Sequence, residues 1–152
     1  MNKYIKNTKD MSLDDKISWV INKAPNILLN GIHDINIDIS DVSDIVNNNG
    51  DILCILESEY CGDDADLLAV ESAINLLNTD ITLLKSTDSV LVILTISPSY
   101  KYEGGDPLNV IYTHIPYESS IIFGTYTDFT FSQQQVKATI IFLGSEPRVR
   151  SV

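Results

Sequence analysis

The stretch LNGIHDINIDISDVSDIVNNNG, residues 29–50, divides into a short, polar, turn-rich first half and a second half with Val42, Ile45 and Val46 at helical spacing. That spacing predicts a helix over 40–48 and puts Asp38 and Asp41 at its first turn. Asp38-x-x-Asp41 has the form of a capping box, a carboxylate at the cap and an acidic residue three positions on. The same side chains, with Asn36, form a polar group in a tight loop that a second protein could use as ligand-facing groups. Spacing alone leaves both readings open.

Working outward, residues 1–11 (MNKYIKNTKDM) show no period and read as a flexible leader. Ser12 then caps a helix over 16–28 whose apolar side carries Ile17, Val20, Ile21, Ala24 and Leu28, weakened at Pro25. Downstream, Asn49-Gly50 is a turn and helix stop, and 52–56 (ILCIL) is a run of strand length. Residues 57–64 read as an acidic loop. A helix over 65–77 follows, with Leu67, Val70, Ile74 and Leu77 in period and Asp63 and Asp64 at its positive end. The β-branched run VLVILTI, 90–96, predicts a strand covered on both faces, ended by Ser97-Pro98. Pro107 opens a short helix over 108–114 with Asp106 as its cap, stopped by Pro116. Two strands close the pattern, at 120–127 and 135–143. The short link between them predicts a hairpin-like connection and antiparallel neighbours. These elements, without internal repeat, predict a two-layer α/β domain with a four-stranded mixed sheet packed by helices over 12–145, and a short tail at 146–152.

Composition narrows the function classes. A chain of 152 residues is the size of one domain, and at 44% hydrophobic content it can build a core. Ten basic against 21 acidic residues give a formal net charge of -11, which repels a phosphate backbone or an anionic membrane as a whole. Neither nucleic acid nor direct membrane contact is therefore expected. Two cysteines, Cys54 in an apolar run and Cys61 in a turn, make no disulfide framework and suit a reduced, cytoplasmic setting. No Gly-rich phosphate loop of either common type occurs, so no nucleotide-binding residues are assigned and the chain is not expected to cradle a nucleotide phosphate by itself. His33 and His114 stand alone, and a metal site is not expected. Paired carboxylates remain, Asp38 with Asp41 and Asp63 with Asp64, the latter read as a charged helix start.

The segment GIHDINIDISDVSDIVNNNG at 31–50 resembles the G-x-INVDFADV-x-x-V-x-x-x-G stretch of the FtsZ family, the bacterial tubulin-like division proteins. AVESAI at 69–74 is similar to that family's alanine-rich helix. SSIIFGTYTDFTFSQQQVKATIIFLG at 119–144 is similar to its closing pair of strands. The three motifs occur in order and the similarity runs from about residue 13 to 144, which looks like the family's C-terminal domain.

The resemblance implies a tubulin/FtsZ C-terminal-domain-like fold and a module that forms or joins filaments. It implies an interaction loop of Asn30, Gly31, Asp34, Asn36, Asp38 and Asp41, of which Asn36, Asp38 and Asp41 would act only in trans, in the GTP pocket of an adjoining subunit. The chain would bind no cofactor; GTP and magnesium would sit on the partner, an FtsZ-like GTP-binding domain or subunit, with homo-oligomers also possible on this pattern. Ile39-Ser40 stands where the family has Phe-Ala, 57–64 (ESEYCGDD) replaces a glycine-rich segment, and 97–108 replaces a shorter turn. Two alternatives stay open: a stand-alone capping or regulatory protein without catalytic contribution, and a small-molecule enzyme or sensor on an α/β sandwich.

Overall fold

In the computed structural model, residues 3–6 and 51–144 are described. The elements, in chain order, are β1 (Lys3–Lys6), β2 (Asp51–Cys61), α1 (Ala65–Asn75), a 3-10 helix (Asn78–Ser86), β3 (Thr87–Ile96), α2 (Pro107–Tyr112), β4 (Ser120–Thr127) and β5 (Gln135–Gly144). The strands form one mixed sheet in the order β1-β2-β5-β3-β4. β5 is antiparallel to both of its neighbours, and β3 and β4 run parallel. The expected helices over 16–28 and 40–48 lie outside the described residues, as does the tail at 146–152.

The two-layer α/β expectation holds, with three differences. Lys3–Lys6, expected within a flexible leader, forms β1 and pairs antiparallel with β2, Tyr4 opposite Leu56 and Ile5 opposite Ile55. The strand adds a fifth member to the expected four. Its sequence, KYIK, is too short to show a period, and pairing with a strand some fifty positions away is invisible locally. β2 also continues through 57–61, which had been expected as loop. There Glu57 lies opposite Thr139 and Glu59 opposite Lys137 of β5, and the Thr139 hydroxyl donates to Glu57 Oε2 at 3.3 Å. Cross-strand polar partners carry the acidic residues that read as loop.

The third difference is topological. β4 and β5 do not form a hairpin, because β3 lies between them, with Ile96 paired to both Thr127 of β4 and Val136 of β5. Residues 128–134 therefore cross the end of β3 instead of making a tight turn. The crossing is fixed by hydrogen bonds, Asp128 N–H donating to Ile96 C=O at 2.9 Å and Ser97 N–H to Gln135 C=O at 3.0 Å. Two strands on either side of a third are about 10 Å apart, a span such a link covers easily.

Strand alternation sorts the sheet into two buried faces. On one, Val90, Val92 and Leu94 of β3 and Val136, Ala138, Ile140 and Phe142 of β5 pack with Ala69, Val70, Ala73 and Ile74 of α1 and Ile111 of α2. Ala69 and Ala73 let the helix lie close to the strands. The opposite face holds Ile55, Leu91, Ile93 and Ile141, each at most 2% exposed, so β3 and β5 are covered on both sides, as the run VLVILTI predicted. Cys54 is a buried core residue and Cys61 an exposed free thiol at the end of β2.

α1 stops at Asn75 rather than 77. The N–H groups of Leu76 and Leu77 turn to the carbonyls of Ala73 and Ile74, three residues back, and Asn78 takes a left-handed φ of 51°, which starts the 3-10 helix. α2 is capped as expected, Asn109 N–H donating to Asp106 Oδ1 at 3.2 Å with Pro107 at its first position.

The last residue of β5, Gly144, lies opposite Thr87, and a Cβ there would overlap the Ser86 carbonyl oxygen, a backbone atom that cannot swing aside. Gly144→Ala should therefore destabilise the protein by about 1–3 kcal/mol, the usual cost of overpacking a tight site. Urea unfolding checks this. An unchanged midpoint would mean that the strand end relaxes freely.

Candidate functional site

All six loop residues singled out in the sequence, Asn30, Gly31, Asp34, Asn36, Asp38 and Asp41, lie outside the described residues. Among the described residues, a group of ionisable side chains lies at the end of the sheet where β2 and β3 finish. It brings Asp63, Asp64 and Asp66 together with Tyr100 and Glu103.

The grouping is built by two loops pinned to the 128–134 crossing. After β2, Gly62 takes a φ of 131°, open to glycine, and its N–H donates to the Gln134 carbonyl at 3.0 Å. The Cys61 thiol donates to the neighbouring Gln133 carbonyl. After β3, Lys101 N–H donates to the Gln134 side-chain oxygen at 2.9 Å. Gln134 thus holds the start of α1 and the loop from β3 side by side, and itself adopts a left-handed φ of 58°.

Asp64 occupies the N-cap of α1, yet its side chain makes no capping hydrogen bond, because its backbone is left-handed at φ 55°, ψ 31° rather than extended. The second N–H of the helix, which a capping side chain commonly serves, is satisfied from outside. Asp66 N–H donates to the Tyr100 hydroxyl at 3.1 Å, and that hydroxyl donates to Asp66 Oδ1 at 2.6 Å. A side chain 34 residues away in sequence does the work of the cap. The Tyr100 ring also meets Tyr102 edge-on, centroids 5.1 Å apart.

Burial, followed by the hydrogen bond to Asp66, pushes the Tyr100 phenol well above the ordinary tyrosine value, so it stays a neutral donor. Repulsion from Asp63 above all, with Asp64 adding to it, raises the Glu103 carboxyl above the ordinary glutamate range. The arrangement is a structural clasp with an acidic outer surface. No group of His, Cys, Asp or Glu fit to hold a metal ion occurs among the described residues. Sequence inspection found Asp63 and Asp64 as a charged helix start but missed Tyr100 and Glu103. The exposed-looking loop SYKYEGGD carried no local signal for either.

Tyr100→Phe removes the hydroxyl that serves both the helix N–H and a carboxylate only 3% exposed. The expected loss at neutral pH is about 1–3 kcal/mol, measured by urea unfolding. Because the folded-state value of Tyr100 lies above the unfolded one, its stabilisation is whole below about pH 10 and is lost as pH rises through the folded value. The stability gap between wild type and Tyr100→Phe should consequently shrink in strong alkali; a gap constant with pH would refute the role of the hydroxyl. For Glu103 the proton is also held more tightly in the folded state, so its contribution is present in acid and is lost as pH rises through the folded value; the stability of Glu103→Gln relative to wild type should therefore rise with pH across the carboxylate range.

No family model matches the sequence, and no curated protein matches it either. Solved structures do. A point mutant of FtsZ from M. jannaschii superposes with a TM-score of 0.67 at 19% identity, over 90% of this chain and 42% of that one. An empty FtsZ dimer from M. jannaschii gives 0.68 at 19% identity, over 90% and 41%. The chain thus spans about two fifths of the length of the FtsZ chains it matches. Over nearly all of its own length it has the fold of an FtsZ C-terminal-like domain.

Proposed function

We propose that this chain is a filament-forming or filament-interacting module of an FtsZ-like cell-division protein, cytoplasmic, which presents the loop over 30–41 to the GTP pocket of an adjoining subunit. The observation that carries this reading is the likeness to FtsZ over 90% of the chain, against 42% of the FtsZ chain. The motif at 31–50 supports it independently of the superposition. An FtsZ dimer among the similar structures favours a partner that is itself FtsZ-like.

On this reading the module is not an enzyme alone. Phosphoryl hydrolysis needs a nucleotide held by phosphate-binding loops and magnesium, with further groups that orient the attacking water. The partner holds GTP and magnesium; Asn36, Asp38 and Asp41 supply the orienting groups in trans. Such a head-to-tail contact is heterologous, so it propagates as an open filament. A chain that offers one side of the contact stimulates a separate GTP-binding half or occupies the end of a filament.

The test mixes the purified chain with the GTP-binding half, or with full-length FtsZ, of the same organism and follows phosphate release and filament mass. Wild type should raise hydrolysis or shorten filaments. Asp41→Asn, Asp38→Asn and Asn36→Ala should each fold and lose the effect by about a hundredfold or more, the order found when one transition-state-stabilising group is removed. If the carboxylates are helix caps only, Asp38→Asn and Asp41→Asn cost at most about 0.5–2 kcal/mol of stability and leave the partner's rate untouched. Binding without a change in rate points to the capping role. Calorimetric titration of the chain alone with GTP and magnesium should show no binding; micromolar affinity would overturn the division of labour.

A further inference from the structure

β4 closes one side of the sheet, paired with β3 and, among the described residues, with no strand beyond it. Its sequence, SIIFGTYT, has no charge and no proline, the features that commonly protect such an edge. Ser120 is exposed, Ile122 is half-buried, and Ile121 and Phe123 are half-buried against the core; among the described residues no strand takes up the outer main-chain groups. In a chain of net charge -11, an uncharged open edge is out of keeping with the rest of the surface.

At the start of that edge lies a cavity of about 170 Å³, lined by Lys85, Thr87, Asp88, Glu118 and Ser119 among others. The Ser119 hydroxyl donates to the Thr87 carbonyl at 2.9 Å and fixes one wall. Thr87 is 2% exposed, and its hydroxyl oxygen has no hydrogen-bond partner. Asp88 and Glu118 outnumber Lys85 there, so the favoured donor is cationic.

We propose that the β4 edge docks an extended basic segment of a partner protein, which adds as a further strand and seats a lysine or arginine side chain in the cavity beside Asp88 and Glu118. Main-chain hydrogen bonds to an open edge supply affinity in this mode, and side-chain pockets supply selectivity. Charge decides the occupant. A second copy of this chain carries the same net charge of -11 and the same acidic cavity, so it opposes pairing; a basic strand complements both. The β4 edge shares no residue with the loop over 30–41, and its test does not depend on GTP.

The probe is a fluorescent octapeptide of alternating valine and threonine with lysine at both ends. It is compared with the same peptide ending in glutamate and with one carrying a central proline. Fluorescence anisotropy with the full chain at low salt should show the lysine-ended peptide binding about tenfold tighter than either control, a difference of about 1.4 kcal/mol. Amide hydrogen exchange should slow at 120–125 on binding. Asp88→Asn combined with Glu118→Gln, both exposed positions that leave the core intact, should bring the lysine- and glutamate-ended peptides within about twofold, since the charges that tell them apart are then gone. Ser120→Pro, at the first residue of the strand, gives a second check and should weaken all three peptides. Equal affinity for lysine and glutamate ends, no binding of the lysine-ended peptide, or protection away from β4 would each overturn the proposal. So would dimerisation through β4 in sedimentation, which would make a second copy the occupant.

Discussion

Everything described in this sheet depends on β5 lying between β2 and β3. Its residues alternate without a break, Val136, Ala138, Ile140 and Phe142 toward α1 and Ile141 and Leu143 toward the other side, and all are essentially inaccessible to water. Each fully buried side chain of this size contributes about 1.5–3 kcal/mol. The strand also carries the hydrogen bonds of both its neighbours. Because β2 and β3 touch only through it, β5 joins β1 and β2 to β3 and β4.

The position of β5 also builds the clasp at the end of the sheet. To enter between β2 and β3 the chain must cross the end of β3, and the crossing residues Gln133 and Gln134 then lie within reach of the loops that leave both strands. Gln134 accepts from Gly62 and Lys101, and those contacts set Tyr100 against Asp66. The unusual start of α1 follows: with Tyr100 serving the Asp66 N–H, Asp64 is released from extended geometry and takes a left-handed conformation that aspartate tolerates better than most residues. The cost of that conformation is offset by a contact made elsewhere in the fold.

Much of this fold was legible in the sequence, and the limits have physical reasons. The unbroken run at 90–96 meant a strand buried on both faces, and the Asp106-Pro107 start meant a capped helix; both signals are local and strong. Pairing was not legible. A short link between two strands fits a hairpin and a crossing equally well, and only the stronger apolar fit of β5 between β2 and β3 decides for the crossing. Nor did KYIK at 3–6 or the acidic end of β2 declare themselves, since their partners are far away in sequence. For the site, Asp63 and Asp64 were visible as charges, while Tyr100 acts through a contact across 34 positions. The resemblance located the loop at 30–41 from its residue pattern, a signal that no spacing rule contains.

The order of the strands in space has a consequence for how the chain matures on the ribosome. β2 and β3 emerge before β5 but have no direct hydrogen bonds to each other, and the strand that joins them is the last of the described strands to be made. Until the residues up to Gly144 have cleared the exit tunnel, two long apolar strands present facing edges with nothing between them. Such edges recruit foreign strands, so the nascent chain passes through an interval in which holding factors or rapid completion of synthesis decide between folding and aggregation. Any stall between the end of β3 and Gly144 prolongs that interval.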